Sequence, residues 1–262
     1  MHDHGAAPHV HGTKFDDAPG VIGIAPSELP PLPDSILTDP DSGRLDPRIW
    51  FQNPSLPFEL EIGCGKGTFI LEESRARPDT NFLGIEWENE YYAYSADRLR
   101  RVNATNARML RADATEFLRW RMPPAIVRVI HLYFSDPWPK SKHHKNRVVQ
   151  DRFLADAWRA LIPGGELRIV TDHADYWAWM EERFARWTSP HADRPAQIPA
   201  DIPLPPFDRL EYTKTAAAAE GELVGTNFER KYRREGRPFH SCTLKKAKTH
   251  HRDTESTEKK NG

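Results

Sequence analysis

Phe58-Glu59-Leu60-Glu61-Ile62 runs without a break into Gly63-Cys64-Gly65-Lys66-Gly67. The first five residues suit a short strand. The glycines after it let the backbone turn sharply and let a ligand approach closely. Residues 68–77 read as a helix that stops at Pro78. The same alternation continues downstream, with strands over 81–86, 107–110, 127–134 and 166–171. Helices are expected over 88–101, 114–120, 148–161 and 174–187. Strands alternating with helices imply an α/β domain: a mostly parallel sheet covered on both faces. Residues 207–213 and 237–244 are candidates for two antiparallel edge strands.

Composition limits what such a domain can be. Lys and Arg total 37 against 38 Asp and Glu, so a polycation or an acidic solvating chain is excluded, although local charged patches are not. Two cysteines rule out a disulfide scaffold and a cysteine zinc cluster, and a reducing, cytoplasmic setting is expected. No apolar run reaches membrane-spanning length. The first residues, MHDHGAAPHVHG, lack a signal-peptide profile. Proline gathers early, so residues 1–44 read as a disordered Pro/His-rich extension. Its His2, His4, His9 and His11 can hold a metal only weakly, and a solvated tail is preferred, with no metal assigned. Residues 45–245 form the expected domain, 190–206 a long Pro-rich exposed loop, and 246–262 a charged flexible tail.

In an open parallel sheet, ligands bind at the carboxyl ends of the strands. Glu86 ends the second strand, 21 residues after Gly65, where a carboxylate can take both ribose hydroxyls of an adenosine. The glycine spacing is G-x-G-x-G rather than the dinucleotide G-x-G-x-x-G. A ring of Glu61, Glu86, Asp113 and Asp136 would repel a pyrophosphate and suit a cationic cofactor, S-adenosyl-L-methionine. Asp113 either accepts from an adenine amino group or caps the next helix. Asp172 is likewise open to a ligand role or a capping role.

The most specific stretch follows the fourth strand: Ser135-Asp136-Pro137-Trp138-Pro139-Lys140-Ser141-Lys142-His143-His144-Lys145-Asn146-Arg147. Its prolines present Asp136 and Trp138 rigidly. Its bases are either a solvated loop or phosphate contacts beside a base stacked on Trp138. A second basic cluster, Arg230-Lys231-Tyr232-Arg233-Arg234, follows Thr226-Asn227-Phe228-Glu229. That tetrad reads as a helix start with Thr226 capping, which still allows it to present polar groups to a ligand. If these clusters do meet nucleic acid, Lys142, Lys145, Arg147, Arg230 and Arg233 would hold its backbone phosphates.

The runs at 61–67, 84–86, 135–140, 171–172 and 226–229 together resemble the tRNA (guanine-N7-)-methyltransferase family over about residues 56–245. The resemblance implies a Rossmann-like class I methyltransferase fold with a seven-stranded sheet. It implies tRNA as partner and methylation of guanine 46 in the variable loop. It implies cofactor contacts at Glu61, Gly63, Gly65, Glu86 and Asp113, and a catalytic or cofactor-side carboxylate at Asp136. It implies substrate contacts at Lys140, Asp172, Thr226, Asn227, Phe228 and Glu229. Monomer and homodimer both stay open. The competing readings are a nicotinamide-dependent oxidoreductase, supported by Gly65 and Glu86, and an RNA-binding module without catalysis.

Overall fold

A computed structural model describes residues 22–190 and 194–247. It contains eight strands in one sheet and six α-helices among the described residues. In chain order these are β1 (Gly23–Ile24), β2 (Phe58–Ile62), α1 (Thr68–Ala76), β3 (Asn81–Glu86) and α2 (Asn89–Arg101). Next come β4 (Ala107–Arg111), α3 (Ala114–Trp120), β5 (Val127–Tyr133), α4 (Asp151–Ala160) and β6 (Leu161–Thr171). The chain continues through α5 (Ala174–Trp187), β7 (Phe207–Leu210), α6 (Asn227–Arg234) and β8 (His240–Lys246).

The sheet order is β1-β4-β3-β2-β5-β6-β8-β7, parallel from β1 to β6, with β8 antiparallel to both β6 and β7. Parallel strands buried on both faces need apolar residues on both. Phe82, Ala107 and Met109 bury one way against Leu71, Tyr92, Ala96 and Leu99 of α1 and α2. Leu83, Ile85, Leu110, Ile130, Leu132, Leu167 and Ile169 bury the other way, with Phe117, Phe153, Leu154 and Ala157 of α3 and α4 and Tyr176, Met180, Phe184 and Trp187 of α5. The α5 residues recur three to four apart, so they form one stripe of a helix. From β2 the chain winds through β3 and β4 on one side, then through β5 and β6 on the other. The β2–β5 boundary is therefore where the winding reverses, and the loops after both strands open there.

The expected elements all form, with shifted limits. The fourth helix starts at Asp151 rather than 148, and β6 begins at Leu161, taking in the Pro163-Gly164-Gly165 turn as an irregularity between Val127 and Val129 of the partner strand. The sheet has eight strands rather than seven, because the stretch expected to be disordered through residue 44 is ordered from residue 22. Gly23–Ile24 pairs parallel with Met109–Leu110, and Met109 N donates to Ile22 O at 2.8 Å. Arg44 donates to Arg119 O at 2.7 Å and Met122 O at 3.1 Å. Asp39 and Asp46 cap short 3₁₀ turns that open on Pro40 and Pro47, accepting from Asp41 N and Arg48 N. Proline-rich segments have no apolar period, so composition misses order imposed by contacts distant in sequence. Residues 1–21, with the four early histidines, and 248–262 lie outside the described residues. The proline-rich loop has no helix or strand between 194 and 206, but Ile198 and Ile202 are buried, so it is anchored rather than fully exposed.

Within the sheet lies a buried charge network. Glu59 accepts from Arg77 (2.8 and 2.7 Å), Arg128 (2.9 and 2.7 Å) and His131 Nε2 (2.8 Å). His131 Nδ1 meets Tyr133 Oη at 2.7 Å, and Tyr212 Oη donates to Tyr133 Oη at 3.1 Å. Burial keeps His131 below its usual pKa and so neutral. Its Nε2–H then donates to Glu59, and its Nδ1 accepts from Tyr133.

Candidate functional site

The glycine loop after β2 places Gly63 and Gly65 in the left-handed region, with φ of +73° and +51°. A Cβ built on Gly63 would meet nothing within 4 Å, and one on Gly65 would meet only the Phe228 ring, at 3.5 Å. The loop therefore offers bare backbone to an open space of about 810 Å³ at the carboxyl ends of β2, β3, β4 and β5. Glu86 closes β3 on its wall. One carboxylate oxygen accepts from Gly65 N at 2.7 Å, the other from Glu88 N at 2.9 Å, so Glu86 ties the glycine loop to the next turn.

Asp113 also lines the cavity. It caps α3, accepting from Thr115 N at 2.8 Å and Glu116 N at 3.1 Å, and its exposed carboxylate keeps room for a further donor. Asp136 reaches the rim from the loop after β5. Its neighbours Phe134 and Trp138 have φ of +53° and +43°, strained for non-glycine residues and of the kind that collects at functional sites. Phe134 is held edge-on by Tyr232 at 5.8 Å and by Phe239 at 5.6 Å. Trp138 and Phe228 give the cavity two aromatic walls, and Phe228 stays 47% exposed while stacking on Tyr232. Trp87 and Tyr91 line it as well, Trp87 at 70% exposure. Reading the sequence missed both. The available signal was an aromatic residue directly after the strand-end Glu86.

Several expected roles need correcting. Glu61 does not line the cavity. It is buried behind the glycine loop, and its Oε2 has no hydrogen-bond partner among the described residues. Burial, reinforced by the nearby Glu86 charge, pushes its carboxyl up to about 8. A raised acid stabilises the fold most below its ordinary value of 4.5 and loses that contribution as pH climbs to about 8. Glu61→Gln should therefore gain on the wild type in urea midpoint between pH 5 and pH 8. A constant difference between the two proteins would refute this.

Glu229 is fully buried and accepts from Leu223 N (2.6 Å), Val224 N and Gly225 N (2.9 Å each), with Arg233 closing the pair at 2.7 Å. It organises the loop before α6 and has no face for a substrate. Thr226 caps α6, accepting from Glu229 N at 3.1 Å, and Asn227 donates to Thr68 Oγ1 at 3.0 Å. Asp172 pairs with Arg237 at 2.7 Å. Lys140 is exposed and lies outside the cavity wall.

The electrostatics are mixed rather than a closed acidic ring. Glu86, Glu88, Asp113, Glu116, Asp136 and Asp156 face Arg119, Lys145, Arg147 and Arg152 around the cavity. Beyond α6 a second groove is lined by Lys66, Arg230, Lys231, Arg233 and Arg234, with Asn227, Glu220 and Glu222. Of the cations assigned to phosphate, Arg230 is tied to Glu222 at 2.7 Å and Arg233 to Glu229. Arg147 is buried. Lys142 and Lys145 remain exposed.

A family model described as "Putative methyltransferase" matches residues 55–242. A tRNA (guanine-N(7)-)-methyltransferase of Nitrobacter hamburgensis is 40% identical over 59% of this chain and 60% of its own length. The chain thus spans about three fifths of that relative. One of Rhodopirellula baltica is 32% identical over 84% of this chain and 83% of its own length. Among solved structures, the aminoglycoside resistance methyltransferase NpmB1 aligns with 83% of this chain and 95% of its own, at 16% identity and a TM-score of 0.47.

Proposed function

Since the chain belongs to the tRNA (guanine-N7-)-methyltransferase family, we propose that it methylates N7 of a guanine in tRNA, guanine 46 of the variable loop, using S-adenosyl-L-methionine. The residues present fit that cofactor. Bare backbone at Gly63 and Gly65 admits a close ligand, Glu86 and Asp113 sit at the ends of neighbouring strands for adenosine hydroxyl and amino groups, and Trp87 offers a flat apolar face. Carboxylates at the strand ends favour a ligand with sulfonium and ammonium charges over one with a pyrophosphate, which disfavours the oxidoreductase reading. When bound, S-adenosyl-L-methionine supplies an electrophilic methyl group.

Guanine N7 carries a free lone pair and no proton, so the reaction needs no strong general base. The protein's share is orientation, which can supply ~7–11 kcal/mol. Asp136, exposed at the rim between two strained residues, is the observation that carries the reading. Its carboxylate accepts from guanine N1–H or N2–H, selecting the base and stabilising the positive charge the base acquires. Adenine lacks that pair of donors. Phe228 and Trp138 are the aromatic surfaces for a base taken out of its stack. Lys140, Lys142 and Lys145, with Lys66, Lys231 and Arg234 of the second groove, meet the RNA backbone. Asn227 and Thr226 shape the end of α6 between cavity and groove. Cys64 and Cys242 are both free thiols, in keeping with a cytoplasmic setting.

The decisive experiment is transfer of a radiolabelled methyl group to unmodified tRNA transcripts, with nuclease mapping of the product. Label should appear at the variable-loop guanine, vanish when that position is adenine, and decline steeply with salt because several phosphates are contacted. An unlabelled transcript, or label insensitive to the base change, removes the assignment.

A further inference from the structure

Arg147 ends the basic run after Asp136, and its charge invites the phosphate role that the sequence suggests. The structure instead buries it and turns its guanidinium to partners inside the protein. Its side chain is 1% exposed. Nε donates to Pro137 O at 2.8 Å, and a terminal nitrogen donates to Asp175 in the first turn of α5. The guanidinium lies 5.2 Å from the Tyr176 ring centre and 5.1 Å from that of Trp179.

These contacts close a loop. Residues 137 and 147 are joined by the Arg147–Pro137 hydrogen bond, and between them Trp138 packs edge-on against His143 at 5.8 Å. A surface loop with joined ends, packed by its own side chains, is an Ω-loop, a form frequently functional. Pro137 O belongs to the peptide unit whose nitrogen is that of Trp138. A donor fixed on that oxygen therefore fixes the plane on which the +43° φ of Trp138 turns. Strained backbone of this kind persists only where the surroundings over-determine it. A buried, charge-assisted hydrogen bond is a strong enough restraint to do so.

We propose that Arg147 is a positioning residue whose guanidinium clamps the neck of the 137–147 loop to α5 and so sets Asp136 and Trp138 against the target base. The proposal rests on the methyl-transfer reading above. It separates the cations of this loop into two kinds. Lys140, Lys142 and Lys145 project to solvent or to the cavity, while Arg147 faces inward and acts through Pro137.

The test uses the full chain and an unmodified tRNA transcript, with active sites counted by S-adenosyl-L-methionine binding. Arg147→Lys keeps a charge but loses the fork that reaches Pro137 and Asp175 together. It should lower kcat per active site at least tenfold, leaving the KM for tRNA, its salt slope and cofactor Kd unchanged. Asp175→Asn alters a side chain that is 60% exposed, so its folding is secure, and it should lower kcat several-fold with the same pattern. A phosphate contact gives the opposite split: KM rises, the salt slope falls by about one, and kcat stays. That split, or wild-type kcat in both variants, overturns the clamp. If Arg147→Lys does not fold, Asp175→Asn alone decides. A wild-type protein that labels no transcript removes the methyl-transfer reading and the clamp with it; an active wild type with unaffected variants removes the clamp alone.

Discussion

Asp136→Ala is expected to lower kcat for tRNA methylation by about 10²–10³-fold, the usual loss when one preorganised group facing developing charge is removed. The size follows from place and timing. Asp136 stands at the rim where β2 and β5 diverge, held between two residues of left-handed backbone, so it needs little reorganisation when the base becomes cationic. Cofactor affinity should weaken only modestly, because the glycine loop, Glu86 and Asp113 are untouched. Asp136→Asn tests the charge separately from the hydrogen bond, since its amide oxygen still accepts but no longer offsets a cation. Methyl-transfer kinetics with calorimetric cofactor binding measures both. An Asp136→Ala protein with wild-type kcat would exclude the carboxylate from the reaction.

Glu59→Ala should cost the fold about 3 kcal/mol, the lower end of the range for breaking a buried ion pair. Four donor groups from Arg77 and Arg128, plus His131, converge on that carboxylate, whose side chain is 1% exposed. The arginines are 22% and 37% exposed, so both can turn toward water when their partner is gone, which limits the loss. Burial alone would raise the Glu59 pKa; the hydrogen bonds from His131 and Arg77, with the Arg77 charge, overcome it and hold the carboxyl well below its ordinary 4.5. A depressed acid stabilises fully above its unfolded value and loses that contribution as pH falls toward the folded one. The stability gap between wild type and Glu59→Ala, measured by urea unfolding, should therefore be widest at neutral pH and narrow steadily below pH 4.5. A gap independent of pH would mean that packing, not charge, is what Glu59 supplies.

The two acids of β2 illustrate what the amino-acid order conveys. Phe58-Glu59-Leu60-Glu61-Ile62 is legible as a strand because the glycines behind it and the helix after them leave few alternatives. Its alternation suggests a wet face, yet all five residues are buried. What keeps Glu59 dry comes from Arg77 and Arg128, 18 and 69 positions away, and local pattern carries no information about such pairings. The same limit accounts for Arg147, neutralised by Asp175 28 positions away, and for Arg230, tied to Glu222 across the turn before α6. Arg233 differs: its partner Glu229 is four residues back on the same helix, a spacing the sequence displays. Caps and strand ends depend on neighbours within a few residues, so the sequence shows Asp113 and Thr226 as helix caps and Glu86 and Asp136 at or just past the ends of β3 and β5. Trp87 and Tyr91 are visible in the sequence only once the cavity shows which side of β3 they serve.

The two-residue strand Gly23–Ile24 has a meaning out of proportion to its length. It lies along the outer margin of β4, whose other margin is taken by β3. A chain shortened to begin at residue 45, as proline content would recommend, leaves the Met109 amide open to any extended peptide. Exposed strand margins recruit one another between molecules. Residues 22–24 thus cover that margin, and a chain without them should self-associate more readily.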